Sequence, residues 1–548
     1  MTLDDFPDKK RRWDVTVSSR DTSHLHKRSR ALRLSISNKG YFFDLIDNIM
    51  RSIYKYFFFL ILLSSCLDLN PISDVGEGAF YKTEAHLLQA VTACYNGMHA
   101  PMRNEWFLTE LRTDNARLFD SQSQSNVSVN VNAMDRFVID TSHPNNTRFW
   151  DDTFRNIAHC NTVLLYMHVV ENEEVRLRFE AEARFIRAMH YFNLVRLYGP
   201  MFLVTKRISG AEAEQMERST VEEVYAFIEE ELLFATEHLP EEVVAAEKGR
   251  ADLWAAKTLL AKVYLTNKKY DIARSLLIDV KDNSGYGLLA SYEEVFSVDN
   301  EMNREIIFAV RYKAGNLGVG SPFANEFAPA MSQDAVINGG GDGLNCPTQD
   351  LIKAYHKDDQ RREVSLKEFW TRGEGVKTYI PYVMKYFYEV DVAYDAENDW
   401  PVLRFADVLL MLAEAEVQLS GIEAGLQYLN LTRERAGLLP LGLDQVPSKY
   451  HFQQALLNER RLEFAFENHR FFDLLRTEQV IPVMKAHFES EIELNKSSPD
   501  EGLATSFYRD PNKSTHVANT MLAEWQLRLP IPLNVMNVSP KAVQNVGY

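Results

Sequence analysis

The chain has 548 residues, of which 46% are hydrophobic and 25% charged. These values exclude wholesale disorder, a collagen-like fibre and a polytopic membrane protein. A formal net charge of −17 excludes nucleic-acid binding through a global basic surface.

The first 49 residues are polar and basic, with clusters at Lys9–Arg12 and Lys27–Arg30. Met50-Arg51-Ser52-Ile53-Tyr54-Lys55-Tyr56 then leads into the apolar run Phe57–Leu63. The run is too short to span a bilayer as a helix and suits a cleaved signal peptide. Leu63-Ser64-Ser65-Cys66 follows, an apolar residue and two small residues before a cysteine, as in a bacterial lipobox. Residues 50–65 are therefore expected to be a lipoprotein signal and Cys66 the lipidated first residue of the mature protein. The stretch 1–49 is expected to be an upstream extension with translation starting at Met50, and to lack a stable fold. Charge follows the same division. Residues 1–65 hold 12 Lys/Arg and 7 Asp/Glu, net +5, and the remaining 483 hold 48 and 70, net −22. An acidic body suits an exported surface protein and argues against anionic partners. With Cys66 lipidated, Cys94, Cys160 and Cys346 remain; no CxxC occurs, so neither a disulfide framework nor a zinc site is indicated.

Phe149–Val170 reads as a helix anchored by Phe149, Trp150 and Tyr166. Ala181, Phe185, Ala188, Met189, Phe192 and Val195 form an apolar stripe at helical spacing, ended by Gly199-Pro200. Leu260, Ala261, Tyr264, Ala273 and Leu277 fit the tetratricopeptide offsets, in which small residues let two helices cross closely. Val402, Ala406, Leu409, Leu410, Ala413 and Val417 form a further helix closed by Ser420-Gly421, and Leu412–Leu429 fits the repeat loosely. The expectation is a few degenerate helix pairs rather than a regular solenoid. Ile306–Val310 is one of few plausible strands. Tyr312–Thr348 carries seven glycines and three prolines, irregular structure longer than a connector needs. An aromatic-dense stretch follows, from Trp370 to Trp400.

Glu459, Glu463 and Glu467 recur at i, i+4 and i+8, placing them on one helix face, with Arg460, Arg470 and Arg476 close enough in sequence to neutralise them. An ion-pair network tying helices together is preferred here over the carboxylate pair of a glycosidase. Arg470 and Asp473 are expected to be buried and paired. HExxH, GxSxG and P-loop motifs are absent, and the 14 His show no metal-ligand spacing. Asp334, Asn338 and Asp342 offer calcium-type oxygens but lack the order of an EF-hand. No catalytic residue, metal site or cofactor is assigned.

Cys66-Leu67-Asp68-Leu69-Asn70-Pro71, Phe80-Tyr81-Lys82-Thr83-Glu84, the block Glu182–Gly199, Arg404–Ala415, Glu459–Leu474 and the end Leu529–Pro532 with Gln544–Tyr548 stand in one order along the chain. In this they resemble the SusD/RagB family of outer-membrane nutrient-binding lipoproteins. The resemblance implies a mainly α fold of tetratricopeptide-like helix pairs with long irregular loops and few short strands. It implies an N-terminal region 66–240 and a C-terminal region 241–548 packed as one globular unit. It also implies a non-catalytic, surface-exposed lipoprotein in the outer membrane. Such a protein binds an oligosaccharide or other nutrient and passes it to a SusC-like TonB-dependent transporter. A surface glycoside hydrolase and a protein-interaction scaffold are the alternatives.

Sugar rings present apolar faces to flat aromatic rings, and their hydroxyls need polar partners beside them. Two regions hold this mixture: Arg103–Asp120, with Trp106, Arg112, Asp114 and Asn115, and the glycine-rich excursion with its sequel, with Asn338, Asp342, Trp370 and Tyr379. At least one of Trp106 and Trp370 is expected to be solvent-accessible and to stack on ligand.

Overall fold

The structure, a computed structural model, describes residues 80–118, 126–497 and 522–548, all within the compact unit Glu77–Tyr548. The extension 1–49, the signal segment 50–65 and Cys66 lie outside the described residues. Among the described residues no helix is long and apolar enough to cross a membrane.

The fold is mainly α. Its longer helices are α1 (Glu84–Asn96), α2 (His99–Thr109), α3 (Asn126–Asp135), α4 (Pro144–Leu165), α5 (Glu173–Tyr198) and α6 (Val221–His238). They continue as α7 (Leu253–Thr266), α8 (Tyr270–Asn283), α9 (Phe405–Leu419), α10 (Ile422–Arg435), α11 (Lys449–Glu463), α12 (Arg470–Arg476) and α13 (Val480–Ser497). Their ends follow local chemistry. Asn172 caps α5 by accepting the N–H groups of Glu174 and Val175, and Thr220 with Glu223 closes a capping box on α6. From α4 to α10 each helix packs on the next, so the pairs α5/α6, α7/α8 and α9/α10 stack into a repeat-like layer. The tetratricopeptide positions Leu260, Ala261, Ala273 and Leu277 are all buried in the α7/α8 pair. Gly425 sets the closeness of α9 and α10: a Cβ there would come within 2.3 Å of Val417 Cγ2 and 2.7 Å of the Ala413 carbonyl. The buried Val408, Leu409, Leu410 and Leu412 of α9 each contribute about 1.5–3 kcal/mol by leaving water.

One stripe residue is placed differently from the expectation. Val402 belongs to a strand, because residues 400–404 pair with the one at 306–310. Strand β2 (Ile306–Val310) runs antiparallel to β8 (Trp400–Arg404), with Ile306 opposite Arg404 and Val310 opposite Trp400. This ladder staples both ends of the excursion 311–399 to the helical layer. Within and beside the excursion lie β1 (Ala116–Arg117) paired with β3 (Cys346–Pro347), β4 (Leu366–Lys367) with β7 (Tyr382–Val383), and the hairpin β5 (Trp370–Arg372) with β6 (Val376–Thr378).

The charged blocks form a buried ionic core. Arg404 bridges Glu305, Glu463 and Glu467 at 2.7–3.1 Å, Arg361 bridges Asp359, Glu459 and Glu463, and Lys385 meets Glu467 at 2.7 Å. Burial alone would raise the Glu463 carboxyl; Arg435, Arg404 and Arg361 overcome it and hold the group far below the usual carboxylate range. The expected network exists, with two corrections. Helix α11 ends at Glu463, so Glu467 sits in the following turn between the left-handed Phe466 and Asn468. The neutralising cations come from other elements, because Arg460, Arg470 and Arg476 turn instead to Asp407 and Asp473, to Asp114, and to Asp473 and Glu414. Arg470 and Asp473 are buried and paired, as expected. Held ionised by these arginines, Glu463 serves as a structural counter-charge.

Candidate ligand-binding face

Phe323–Phe327 is a short helical turn inside the glycine-rich excursion, rigid because Phe323 and Phe327 pack on Tyr386 and Trp400, whose rings stack at 4.6 Å. Asn325 on that turn is fully buried and organises the loops above it. Its amide nitrogen donates to the carbonyls of Asn338 and Gly340, both at 2.9 Å. Its side-chain oxygen accepts the Tyr394 N–H at 2.7 Å, and its backbone carbonyl accepts the Asp342 N–H at 3.0 Å. Asn338, Asp342 and Tyr394 are thereby brought to one place, although 56 residues separate the first from the last.

The side chains at this place are polar and open. Tyr394, 39% exposed, donates its hydroxyl to Asp342 Oδ1 at 3.0 Å. Arg103 on α2, also exposed, pairs with the buried Glu326 at 2.8 Å. Burial pushes the Glu326 carboxyl up to about 7 against the opposing pull of Arg103. Asp342 is raised by the protein crowding its inner side, and Tyr394 is pushed up to about 12, first by burial and then by the Asp342 charge. The result is an exposed phenol ring, a carboxylate and a guanidinium on a braced loop, a set that can stack on an apolar ring face and exchange hydrogen bonds with hydroxyls.

The two regions singled out in the sequence meet here, through Arg103–Glu326 and the β1/β3 pairing. Their residues fare differently. Asn338 and Asp342 are exposed on the face, and Asn338 Nδ2 donates to the Asp391 carbonyl at 2.8 Å. Asp334 Oδ1 accepts the Gly339 N–H and Asp342 Oδ1 accepts the Tyr394 hydroxyl, so each of these carboxylates is tied to the loop through one oxygen. Tyr379, 48% exposed, stands at the end of the β5/β6 hairpin against Phe369; the hairpin's apolar side packs on Val336 of the excursion.

The accessible tryptophan expected in one of the two regions is not found. Trp106 is fully buried, with Phe327 edge-on at 5.0 Å, because α2 turns that side into the core. Trp370 is 6% exposed, since its small cluster with Ile380 and Tyr382 needs the indole as filling. Arg112, Asp114 and Asn115 are also buried. Arg112 donates to the Gln526 and Leu527 carbonyls and lies 4.3 Å from the Phe471 ring centre. Asp114 takes a two-pronged bond from Arg470, 2.9 Å on each side; burial would raise it, but Arg461 and Arg470 hold it far below the usual range. Asn115 accepts from Arg461 at 2.9 Å. These three join the N-terminal helices to the α11–α12 corner. Sequence reasoning did not single out Asn325, Glu326 or Tyr394 for this candidate face, and named Arg103 only as the start of a region. Tyr394 stood in the aromatic-dense stretch, but its left-handed backbone, φ 62°, comes from the Asn325 bond and leaves no sequence signal.

Residues 370–548 match the SusD family, and residues 67–265 match the family described as "Starch-binding associating with outer membrane". SusD-like protein P25 of Formosa agariphila is 25% identical, covering 91% of this chain and 99% of that protein. A laminarin-binding SusD-like protein superposes with a TM-score of 0.70 at 24% identity, over 85% of this chain and all of that one. Surface glycan-binding protein A from Bacteroides thetaiotaomicron in complex with laminarihexaose does so with a TM-score of 0.68 at 19% identity, over 84% and 99%. Two family matches at the two ends of one chain, a relative aligned almost end to end and a common fold agree: the chain belongs to the SusD family.

Proposed function

We propose that this protein is a non-catalytic glycan-binding lipoprotein of the outer membrane, anchored through Cys66, which captures an oligosaccharide and hands it to a TonB-dependent transporter. The observation that carries the reading is the exposed Tyr394–Asp342–Arg103 face, mounted on loops that a buried aromatic turn and Asn325 hold fixed. Family membership supports it, as does the naming of relatives for starch, laminarin and surface-glycan binding. The acidic body disfavours polyanions and leaves neutral glycans as the favoured class. The carboxylates that could suggest hydrolysis are consumed in ion pairs, which favours binding over turnover.

The test is affinity electrophoresis of the mature protein against starch, laminarin and other neutral polysaccharides, with chromatography for released products. Retardation by one of them without product supports the reading. Product formation replaces it with a hydrolase, and retardation by none removes it. Globomycin-sensitive processing at Cys66, abolished in Cys66→Ala, tests the anchor separately.

A further inference from the structure

The C-terminal residues build a second open surface. A groove of about 1260 Å3 is lined by Trp525, Arg528, Arg218, Glu222, Val480 and Val546 among others, and shares no residue with the Tyr394 face. That exceeds the ~300–1,000 Å3 of ordinary small-ligand pockets, as a ligand of several linked rings requires.

Trp525 is 40% exposed, and its ring is held from one side by the chain's own tail. Gly547 lies against it at φ +99°, so close that a Cβ would come within 2.4 Å of Cε3, and Tyr548 meets it edge-on at 5.1 Å. The tail is fixed in turn. Tyr548 donates to the Arg528 carbonyl at 2.9 Å, and Asn545 donates to the Tyr198 and Leu529 carbonyls. Arg218 donates to the Pro200 carbonyl and to Asn545 Oδ1. A flat ring is thus braced by the Gly547 backbone and the Tyr548 ring, and it lines the groove. The Arg528 guanidinium lies against Gly199 and forms no ion pair or hydrogen bond with any described residue.

We propose that this groove is a second saccharide site, in which a neutral pyranose chain stacks on Trp525 while the Arg528 fork donates to its hydroxyls. The neutral class follows from the lining: the three cations Arg218, Arg528 and Lys541 face the four carboxylates Glu217, Glu222, Glu478 and Glu524, so a polyanion gains no net attraction, whereas hydroxyls find donors and acceptors. Two sites on one molecule would let it hold a long glycan at separate points, and avidity then exceeds either affinity.

The proposal rests on the glycan-binding reading, and its test separates the two. Mature protein is titrated calorimetrically with maltohexaose and laminarihexaose, and crystals are soaked in the same sugars. Trp525→Ala, the milder Arg528→Gln and a Tyr394→Ala variant follow, each checked for an unchanged melting curve. Two sites per chain are expected. The groove variants should weaken one by about tenfold or more and spare the other. One site abolished by Tyr394→Ala and untouched by Arg528→Gln overturns the groove and leaves the face standing. One site abolished by Arg528→Gln alone keeps the groove and overturns the face. Sugar at neither place overturns both.

Discussion

The side-chain oxygen of Asn325 accepts the backbone N–H of Tyr394 at 2.7 Å, across 69 residues of sequence. That bond, with the two that the same amide donates to Asn338 and Gly340, decides where the exposed phenol stands.

Asn325→Ala removes the hub and breaks three partly buried hydrogen bonds to the backbone of Asn338, Gly340 and Tyr394, each worth about 0.5–1.5 kcal/mol. Thermal unfolding should fall by several degrees, while far-UV circular dichroism keeps its helical signal because the repeat layer does not involve Asn325. Glycan affinity should drop with the stability. An Asn325→Ala protein that melts normally and binds normally contradicts the positioning role.

Asp473 accepts from Arg460 and Arg476 in the buried corner of α11 and α12. Burial would raise its carboxyl, but the two arginines bring it down to about 2. A carboxyl depressed in the folded state contributes stability that is present above the unfolded value near 4 and is lost as pH falls towards 2. Asp473→Ala should therefore cost about 3–5 kcal/mol at neutral pH, with a penalty that shrinks below pH 4. Calorimetric unfolding across pH 2–7 checks this. A variant that melts normally but loses ligand would move Asp473 from the scaffold to the site.

Glu326 has the opposite sign. Its carboxyl is raised to about 7, so the folded state keeps a proton that the unfolded state has released between about 4.5 and 7. Its contribution to stability is complete at pH 4.5 and declines as pH rises through 7. Glu326→Gln cannot titrate, so its melting temperature relative to the native protein should improve from pH 5 to pH 8. A difference that is constant across this range, or that worsens, contradicts the assignment.

Much of the scaffold was legible because it rests on local pattern. The stripe Ala181–Val195 and the Leu260–Leu277 offsets declare their period, Ile306–Val310 is a short apolar run rich in β-branched residues, and Gly199 and Gly421 stand just beyond helix ends. Val402 was misplaced because an apolar residue one turn before a helix looks the same whether it starts the helix or ends a strand; the partner that decides, β2, lies about a hundred residues away. The ionic core was foreseeable as a network but its pairings were not, since Arg361, Lys385, Arg404 and Arg435 reach Glu463 and Glu467 only through the tertiary fold. The candidate face was partly legible as a place in the fold. The polar members Asn338 and Asp342 are where the mixture of residues pointed, while tryptophan, as the largest side chain, was drawn into the core at 106 and 370. Tyr394 took the exposed position, marked by its tertiary bonds to Asn325 and Asp342.

The central claim is that a glycan is bound at the Tyr394–Asp342 face. Isothermal titration calorimetry of Tyr394→Ala/Asp342→Asn, with the oligosaccharide of whichever polysaccharide retards the native protein, tests it most directly. The account predicts an unchanged melting curve and binding at that face weakened by about tenfold or more, from the lost stacking and hydrogen bonds. An isotherm identical to that of the native protein in site number and affinity would contradict it.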